Sequence, residues 1–389
     1  MAEKGFFSEA AAREAAAGAA GAEPTRLDAR AALAYGLARL REAGVASLGR
    51  EAGLAAELLL LSVIGHEVRR DRAWLYAHPE YVLSAAEWEA YDALLARRAS
   101  REPVQYLTGV QEFWGLEFEV TPNVLIPRPE TEHVVEVALE WVGARGVGGI
   151  DGAPSVAPLT PAPCVAPDAA LNIADVGTGS GCLAVALAKE LPGARVVATD
   201  ISAAALEVAR RNALRHGVGE RVRFVRADLL DLRDAPRGGA SGSAPATLAG
   251  REGDAEVFPQ FFHQEGAAEA PSFDLIVSNP PYVARDAAAS LPVEVRDHEP
   301  HEALFGGATG VEIYARLIAQ AAGALRAGGV LVLELGYDSL AHVQAVLTRP
   351  DAAPDGAAAG RNSSWSDIRV TNDLAGVPRV ISATRCAAE

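Results

Sequence analysis

Leu171-Asn-Ile-Ala-Asp-Val-Gly-Thr-Gly-Ser-Gly-Cys182 is a short apolar strand that runs into three glycines and then into a helical stretch, Leu183–Lys189. Glycines at 177, 179 and 181 let the backbone turn sharply and approach a ligand with no Cβ in the way. Many α/β proteins use such a turn for packing alone. The spacing is GxGxG rather than the GxGxxG of dinucleotide sites, and no lysine follows as in a phosphate loop. Its surroundings decide the fold. Leu171–Val176, Arg195–Thr199, Val222–Arg226, Phe273–Ser278 and Val330–Glu334 are short apolar runs separated by helical segments. That alternation marks a parallel, doubly wound α/β sheet. Ile368–Thr371 and Arg379–Thr384 read as an antiparallel pair that closes it.

Three of these strands end on polar residues. Asp200 closes the second, where a carboxylate can accept both hydroxyls of a ribose; an acid there can also cap the following helix. Asp228, followed by Leu229, ends the third, where an adenine amino group could be read. No residue is placed to grip a pyrophosphate, so a nucleoside suits the sheet better than NAD or ATP. The fourth strand stops on Asn279-Pro280-Pro281-Tyr282. Two prolines lock φ at about −65° and remove two backbone donors, and Pro280 pushes Asn279 towards an extended backbone. The Asn279 amide and the Pro280 carbonyl then form a rigid edge that suits a planar amide or amino group, with Tyr282 to pack on its face. Alone, the tetrapeptide could be a Pro-Pro loop after an ordinary strand.

Upstream of the sheet, Leu27 to about Ser100 reads as helical. Ser84 with Glu87 forms a capping box, and Trp88, Tyr91, Leu94 and Leu95 make one apolar face. Leu54, Leu58, Leu61 and Ile64 repeat the same period and predict a second core-facing stripe. The aromatic and β-branched runs from Val104 to Val120 predict a hairpin. The division expected is a disordered tail at 1–24, a helical domain at 25–102, a hairpin linker at 103–122 and a sheet domain at 123–389. Gly-, Pro- and Ala-rich insertions at 143–168 and 234–271 are expected to be flexible.

A chain of 389 residues suits two domains. Its net charge of −16 argues against gripping nucleic acid through its own surface. No run approaches the roughly 18 apolar residues of a membrane span. Cys164, Cys182 and Cys386 lack metal-ligand spacing, which points to a reduced, cytoplasmic compartment and no metal. The Ala-rich run Ala10–Ala22 lacks the features of a signal peptide.

The glycine turn, Asp200 and Asp228-Leu229 together resemble the class I methyltransferases, which bind S-adenosylmethionine on a Rossmann-like sheet. Asn-Pro-Pro-Tyr resembles the motif of enzymes that methylate a planar nitrogen. Glu102-Pro-Val-Gln-Tyr-Leu-Thr-Gly109, Glu112-Phe-Trp114 and Leu125-Ile-Pro-Arg-Pro-Glu-Thr-Glu132 narrow the resemblance to the HemK/PrmC family. So do Glu299-Pro300, Ala303-Leu304, Gly306-Gly307, Gly310, Tyr314, Asp373-Leu-Ala-Gly376 and Arg379. The likeness runs from about Leu27 to Thr384, apart from the insertions.

That resemblance implies a mostly parallel sheet with an antiparallel closing strand, preceded by a small all-helical domain that recognises the substrate. It implies N5-methylation of the glutamine in the Gly-Gly-Gln motif of peptide-chain release factors. Gly177, Thr178, Gly179, Ser180, Gly181, Asp200, Asp228, Leu229 and Asn279 would bind S-adenosylmethionine. Asn279, Pro280, Pro281 and Tyr282 would be catalytic and bind the glutamine. Arg128 and Glu130, flanked by prolines, would stiffen a loop beside substrate or pin the linker as an ion pair. Phe113 and Trp114 would wall the pocket or fill the hairpin core. A ribosomal-protein glutamine, an adenine N6 of DNA and a scaffold without catalysis are the alternatives. Pro129-Glu130-Thr131 favours the release-factor branch, and the lack of a basic target-recognition region speaks against DNA.

Overall fold

Asp28, Asp71 and Ser84 each precede a helix and turn a side-chain oxygen onto its first-turn amides. In the computed structural model, which describes residues 27–45, 50–64, 70–146, 170–232, 272–349 and 363–387, these caps start three helices of one compact unit. That unit takes in the described residues up to Val110 and, from much later in the chain, Leu291–His298. Up to Val110 its helices are α1 (Ala29–Glu42), α2 (Arg50–Ile64), α3 (Arg72–Ala77), α4 (Ala85–Ala99) and α5 (Val104–Thr108), and Val293–His298 adds a short one. The capping box is formed: the Ser84 amide donates to Glu87 Oε2 at 2.7 Å, and the Glu87 amide to Ser84 Oγ at 3.2 Å. Leu33, Leu40, Leu59, Leu60, Leu75, Tyr91 and Leu95 make the core.

Helix α2 has the expected period with a different phase. Of the expected stripe Ile64 is buried and Leu61 packs against the core, but Leu54 and Leu58 are 42% and 36% exposed, while Ala52, Ala55, Ala56, Leu59 and Leu60 are buried. Close approach explains the choice of small residues. A Cβ on Gly36 of α1 would lie 3.2 Å from the Ala56 Cβ, and the Tyr91 hydroxyl of α4 donates to the Ala56 carbonyl at 3.3 Å.

Leu291–His298, expected in the sheet domain, belongs to this helical unit. Glu294 accepts from Arg98 Nη2 at 3.1 Å and pairs with Arg101 Nε at 3.2 Å. The Arg98 side chain is only 11% exposed, and a charge that far from water needs a partner.

The second unit takes in the described residues of Gln111–Ser290 and those from Glu299 onward. A hairpin of β1 (Val110–Phe113) and β2 (Leu116–Glu119) turns at Trp114-Gly115, with φ of 55° and 68°. Paired positive φ values match the right-handed twist of the strands. The expected linker therefore starts late: Val104–Thr108 is helical, opened by Pro103 and closed by Gly109 at φ 76°. Pro103 presets a helical entry and Gly109 supplies the left-handed stop, which outweighs the β-branched Val104 and Thr108.

After α6 (Glu132–Gly146) come β3 (Asn172–Val176), α7 (Cys182–Glu190), β4 (Arg195–Asp200), α8 (Ala203–Arg215), β5 (Val222–Arg226), β6 (Phe273–Ser278) and β7 (Val283–Ala284). Then follow β8 (Phe305–Gly307), α9 (Glu312–Ala324), β9 (Leu325–Glu334), α10 (Leu340–Leu347), β10 (Trp365–Asn372) and β11 (Pro378–Arg385). Helix α6 runs through Gly143–Gly146, which were expected to open a flexible insertion, because its apolar stripe Val134, Val135, Ala138, Val142 carries the helix on. The tail at 1–24, the rest of that insertion to 168 and all of 234–271 lie outside the described residues.

Seven strands form one sheet in the order β10-β11-β9-β6-β3-β4-β5. Strands β9, β6, β3, β4 and β5 are parallel, and β11 pairs antiparallel with both β9 and β10. Ile173, Val196, Leu275 and Val332 face the layer of α6 and α7; Ala174, Val197, Ile276 and Leu331 face that of α9 and α10. Burial on both faces is why these strands read as unbroken apolar runs. Among the described residues no helix is long and apolar enough to cross a membrane.

Candidate active site

From β3 the chain winds one way to β4 and β5, and then returns to lay β6 and β9 on the other side. The crevice at the carboxyl ends of β3 and β6 is thus the switch point where open α/β sheets bind ligands. Asp175 pairs with Val277 in the parallel register, so the turn after Val176 and the Asn279 loop after Ser278 leave the sheet side by side. Ser278 Oγ ties the two ends by donating to the Val176 carbonyl at 2.6 Å.

The glycine turn is held from beneath. The amides of Gly177 and Thr178 donate to the Thr199 carbonyl at 2.8 and 2.9 Å. Gly177 and Gly179 have φ of 72° and 54°, and a Cβ on either would meet nothing within 4 Å, so the turn faces open space. Thr178 Oγ1 and the Ala184 amide donate to Asp175 Oδ2 at 2.6 and 3.1 Å. Among the described residues Asp175 Oδ1 is buried with no hydrogen-bond partner, and burial pushes this carboxyl up to about 7. Gly181 closes the turn at φ 82°, against Ala209 of α8. Buried Asn212 of α8 holds the outer side, its Nδ2 reaching the Ser180 and Glu119 carbonyls at 2.9 and 3.0 Å.

Asp200 sits at the rim. Its Oδ2 accepts from the Gly179 amide and its Oδ1 from the Ser202 amide, both at 2.9 Å. Ser202, not Asp200, caps α8. Each Asp200 oxygen keeps a lone pair for a further donor. Burial raises its carboxyl above the ordinary range. Asp228 lies past the end of β5, half exposed, and accepts from Arg316 Nη2 at 2.6 Å. Leu229 takes the left-handed φ of 57°, rare for a leucine.

Asn279 Nδ2 donates to Thr131 Oγ1 at 3.0 Å, and Thr131 Oγ1 donates to Glu334 Oε2 at 2.6 Å. Asn279 Oδ1 has no partner among the described residues. Tyr282 turns its hydroxyl to Glu334 Oε1 at a long 3.4 Å, and Gly336 lies flat enough on its ring that a Cβ there would come to 2.7 Å of Cδ2. Gly306 lies against the Pro281 carbonyl and Gly310 against the Tyr282 carbonyl, where any side chain would collide. Burial pushes the Glu334 carboxyl up to about 7, with the Thr131 and Tyr282 hydrogen bonds opposing it.

Arg128 and Glu130 do not pair with each other. Arg128 Nη2 donates to both oxygens of buried Glu299, at 2.6 and 2.8 Å, while Glu130 lies 3.8 Å from Arg379. Phe113 is core, edge-on to Phe118. Trp114 packs at the turn, its indole N–H on Glu190 Oε1 at 2.9 Å. Thr131, Asn212 and Glu334 are polar members of the site that sequence reading passed over. Glu334 carries the same signal that singled out Asp200, an acid closing a central strand.

An open glycine cradle, an unpaired buried carboxylate oxygen beneath it and an acid with spare lone pairs at its rim fit the amino-acid and ribose parts of S-adenosylmethionine. A methyltransferase-domain profile matches residues 173–240, and the protein is an S-adenosylmethionine-dependent methyltransferase. The PrmC N-terminal domain profile matches residues 31–109. A release factor glutamine methyltransferase from Koribacter versatilis is 37% identical over 84% of this chain and 89% of its own length. The Chlorobaculum tepidum protein of the same name is 40% identical over 85% and 90%, and that of Geobacter sulfurreducens 37% over 88% and 91%. The chain belongs to the release factor glutamine methyltransferase family.

Proposed function

We propose that this enzyme methylates the side-chain amide nitrogen, N5, of the glutamine in the Gly-Gly-Gln motif of peptide-chain release factors, in the cytoplasm. The observation that carries this reading is Asn279, set beside the glycine cradle with its Oδ1 unengaged among the described residues. S-adenosylmethionine supplies an electrophilic methyl on a sulfonium. An amide nitrogen is a poor nucleophile because its lone pair is delocalised into the carbonyl. Asn279 Oδ1 and the Pro280 carbonyl would each accept one N–H of the glutamine, aiming its nitrogen for in-line displacement. As the new N–C bond forms, positive charge on nitrogen is met by these two fixed acceptors. The S–C bond breaks with its pair left on sulfur, which needs no acid, and the extra proton passes to water.

Tyr282 would pack on the amide face, with Pro281 holding the loop stiff. Gly177, Thr178, Gly179, Ser180 and Gly181 would cradle the methionine part, Asp200 the ribose hydroxyls, and Asp228-Leu229 the adenine. The helical unit would recognise the release factor. Arg128, through Glu299, and Glu130, through Arg379, would support the substrate loop.

Mass spectrometry of a bacterial release factor after incubation with enzyme and S-adenosylmethionine tests the reading. One added methyl on the Gly-Gly-Gln glutamine is expected. An unmodified release factor, with transfer to a ribosomal protein or to DNA instead, would overturn it.

A further inference from the structure

A carboxamide can present either its oxygen or its NH2 to a ligand, and only the oxygen can accept the N–H of a substrate amide. Asn279 therefore needs something to fix its orientation. Thr131, 2% exposed at the head of α6, and Glu334, 2% exposed at the end of β9, lie on its far side. A hydroxyl has one proton and two lone pairs. At 2.6 Å from Glu334 Oε2, the Thr131 proton is committed to the carboxylate in a short, charge-assisted bond. Its oxygen can then only accept from Asn279, which turns Nδ2 inward and Oδ1 outward.

Resting on the methyltransferase reading above, we propose that Thr131 and Glu334 are positioning residues whose one-way hydrogen-bond relay sets the Asn279 oxygen towards the substrate. A proton on Glu334 reverses the relay. Glu334 would donate to Thr131, the freed Thr131 proton would seek the Asn279 oxygen, and the NH2 group would face the substrate.

The groups facing Glu334 are Tyr282 from the loop after β6, Glu130 from the turn before α6, Arg379 from β11, Tyr314 from α9 and Cys182 from α7. Glu130 disfavours its charge and Arg379 favours it. Burial pushes Cys182 up to about 12 and raises both tyrosines, so these three keep their protons around neutrality.

The test compares Thr131→Val, which keeps the shape and loses the hydroxyl, with Thr131→Ser, which keeps the hydroxyl. The relay predicts a kcat at least about 10-fold lower for Thr131→Val, with S-adenosylmethionine affinity within about 3-fold of wild type by calorimetry. Thr131→Ser should recover most of the activity. Wild-type kcat should rise with pH through about 7, and Glu334→Gln should remove that limb. Equal loss in Thr131→Ser and Thr131→Val, or wild-type rate and pH profile in Thr131→Val, would overturn the relay.

A second readout needs no substrate. The Asn279 side-chain amide NMR signal, identified by its loss in Asn279→Ala, should shift with pH in the wild type and stay still in Glu334→Gln. A static wild-type signal refutes the relay. If no methyl reaches the release factor, the functional reading fails while this signal still decides the relay.

Discussion

The helical unit and the sheet unit treat buried polarity in opposite ways. Among the described residues, every buried Asp, Glu, Asn, Ser and Thr belongs to the sheet unit: Thr131, Asp175, Thr178, Ser180, Thr199, Asn212, Asp274, Ser278, Glu299, Glu334, Ser339 and Ser364. The helical unit buries mostly alanines and leucines, with Tyr106 and with Tyr91, whose hydroxyl donates to a carbonyl. Burying polar groups costs stability unless they are paired. The sheet unit bears that cost where Asp175, Thr178, Ser278 and Glu334 surround the switch point. Its polar core serves chemistry, and the helical core serves only packing.

Substitutions can break this contrast. Asn279→Ala should lower kcat by about 10³-fold in a methyl-transfer assay while leaving the melting temperature within a few degrees. If it unfolds the protein instead, the polar core is structural after all. In the helical unit Leu59→Ala should cost roughly 2–5 kcal/mol in denaturant unfolding, with kcat preserved in the molecules that stay folded. Asp200→Asn should weaken S-adenosylmethionine binding by roughly 10-fold in calorimetry.

The pH dependence of stability sharpens the contrast through its sign. Asp175 and Glu334 are both pushed up to about 7 by burial. Between about pH 4 and 7 the folded sheet unit therefore holds protons that the unfolded chain has released, and its stability falls as pH rises through that window. In the helical unit burial pushes Glu87 and Glu294 up, but the Ser84 amide together with the Tyr81 hydroxyl for the first, and its own amide with Arg98 for the second, outweigh it and hold both low. Their contribution is present above the ordinary carboxylate range and is lost as pH falls. Hydrogen exchange followed from pH 4 to 7 should show protection that falls with rising pH in the sheet unit and stays level in the helical unit above the ordinary carboxylate range, and Asp175→Asn should flatten the slope of the sheet unit. The smallest effect belongs to Leu54→Ala: about 0.5 kcal/mol, because that side chain is 42% exposed.

The sequence made the sheet legible because strands buried on both faces are continuous apolar runs, as at Ile173–Val176 and Leu275–Val277. Ser84 and Glu87 announced their helix because a capping box is local. The phase of α2 was hidden because its contact face is built of Ala52, Ala55 and Ala56, which leucine spacing cannot reveal. Asn279 was legible from its prolines. Its support was not: Thr131 and Glu334 meet across 203 residues of chain, where the turn before α6 comes against the end of β9.

The return of Leu291–His298 to the helical unit bears on how this protein can be cut apart. A fragment ending at Val110 would take Arg98 and Arg101 away from Glu294. Isolating the unit therefore requires grafting that short helix back on. Conversely, a sheet unit transplanted without it must rejoin Ser290 to Glu299. Neither compact unit is one uninterrupted stretch of gene.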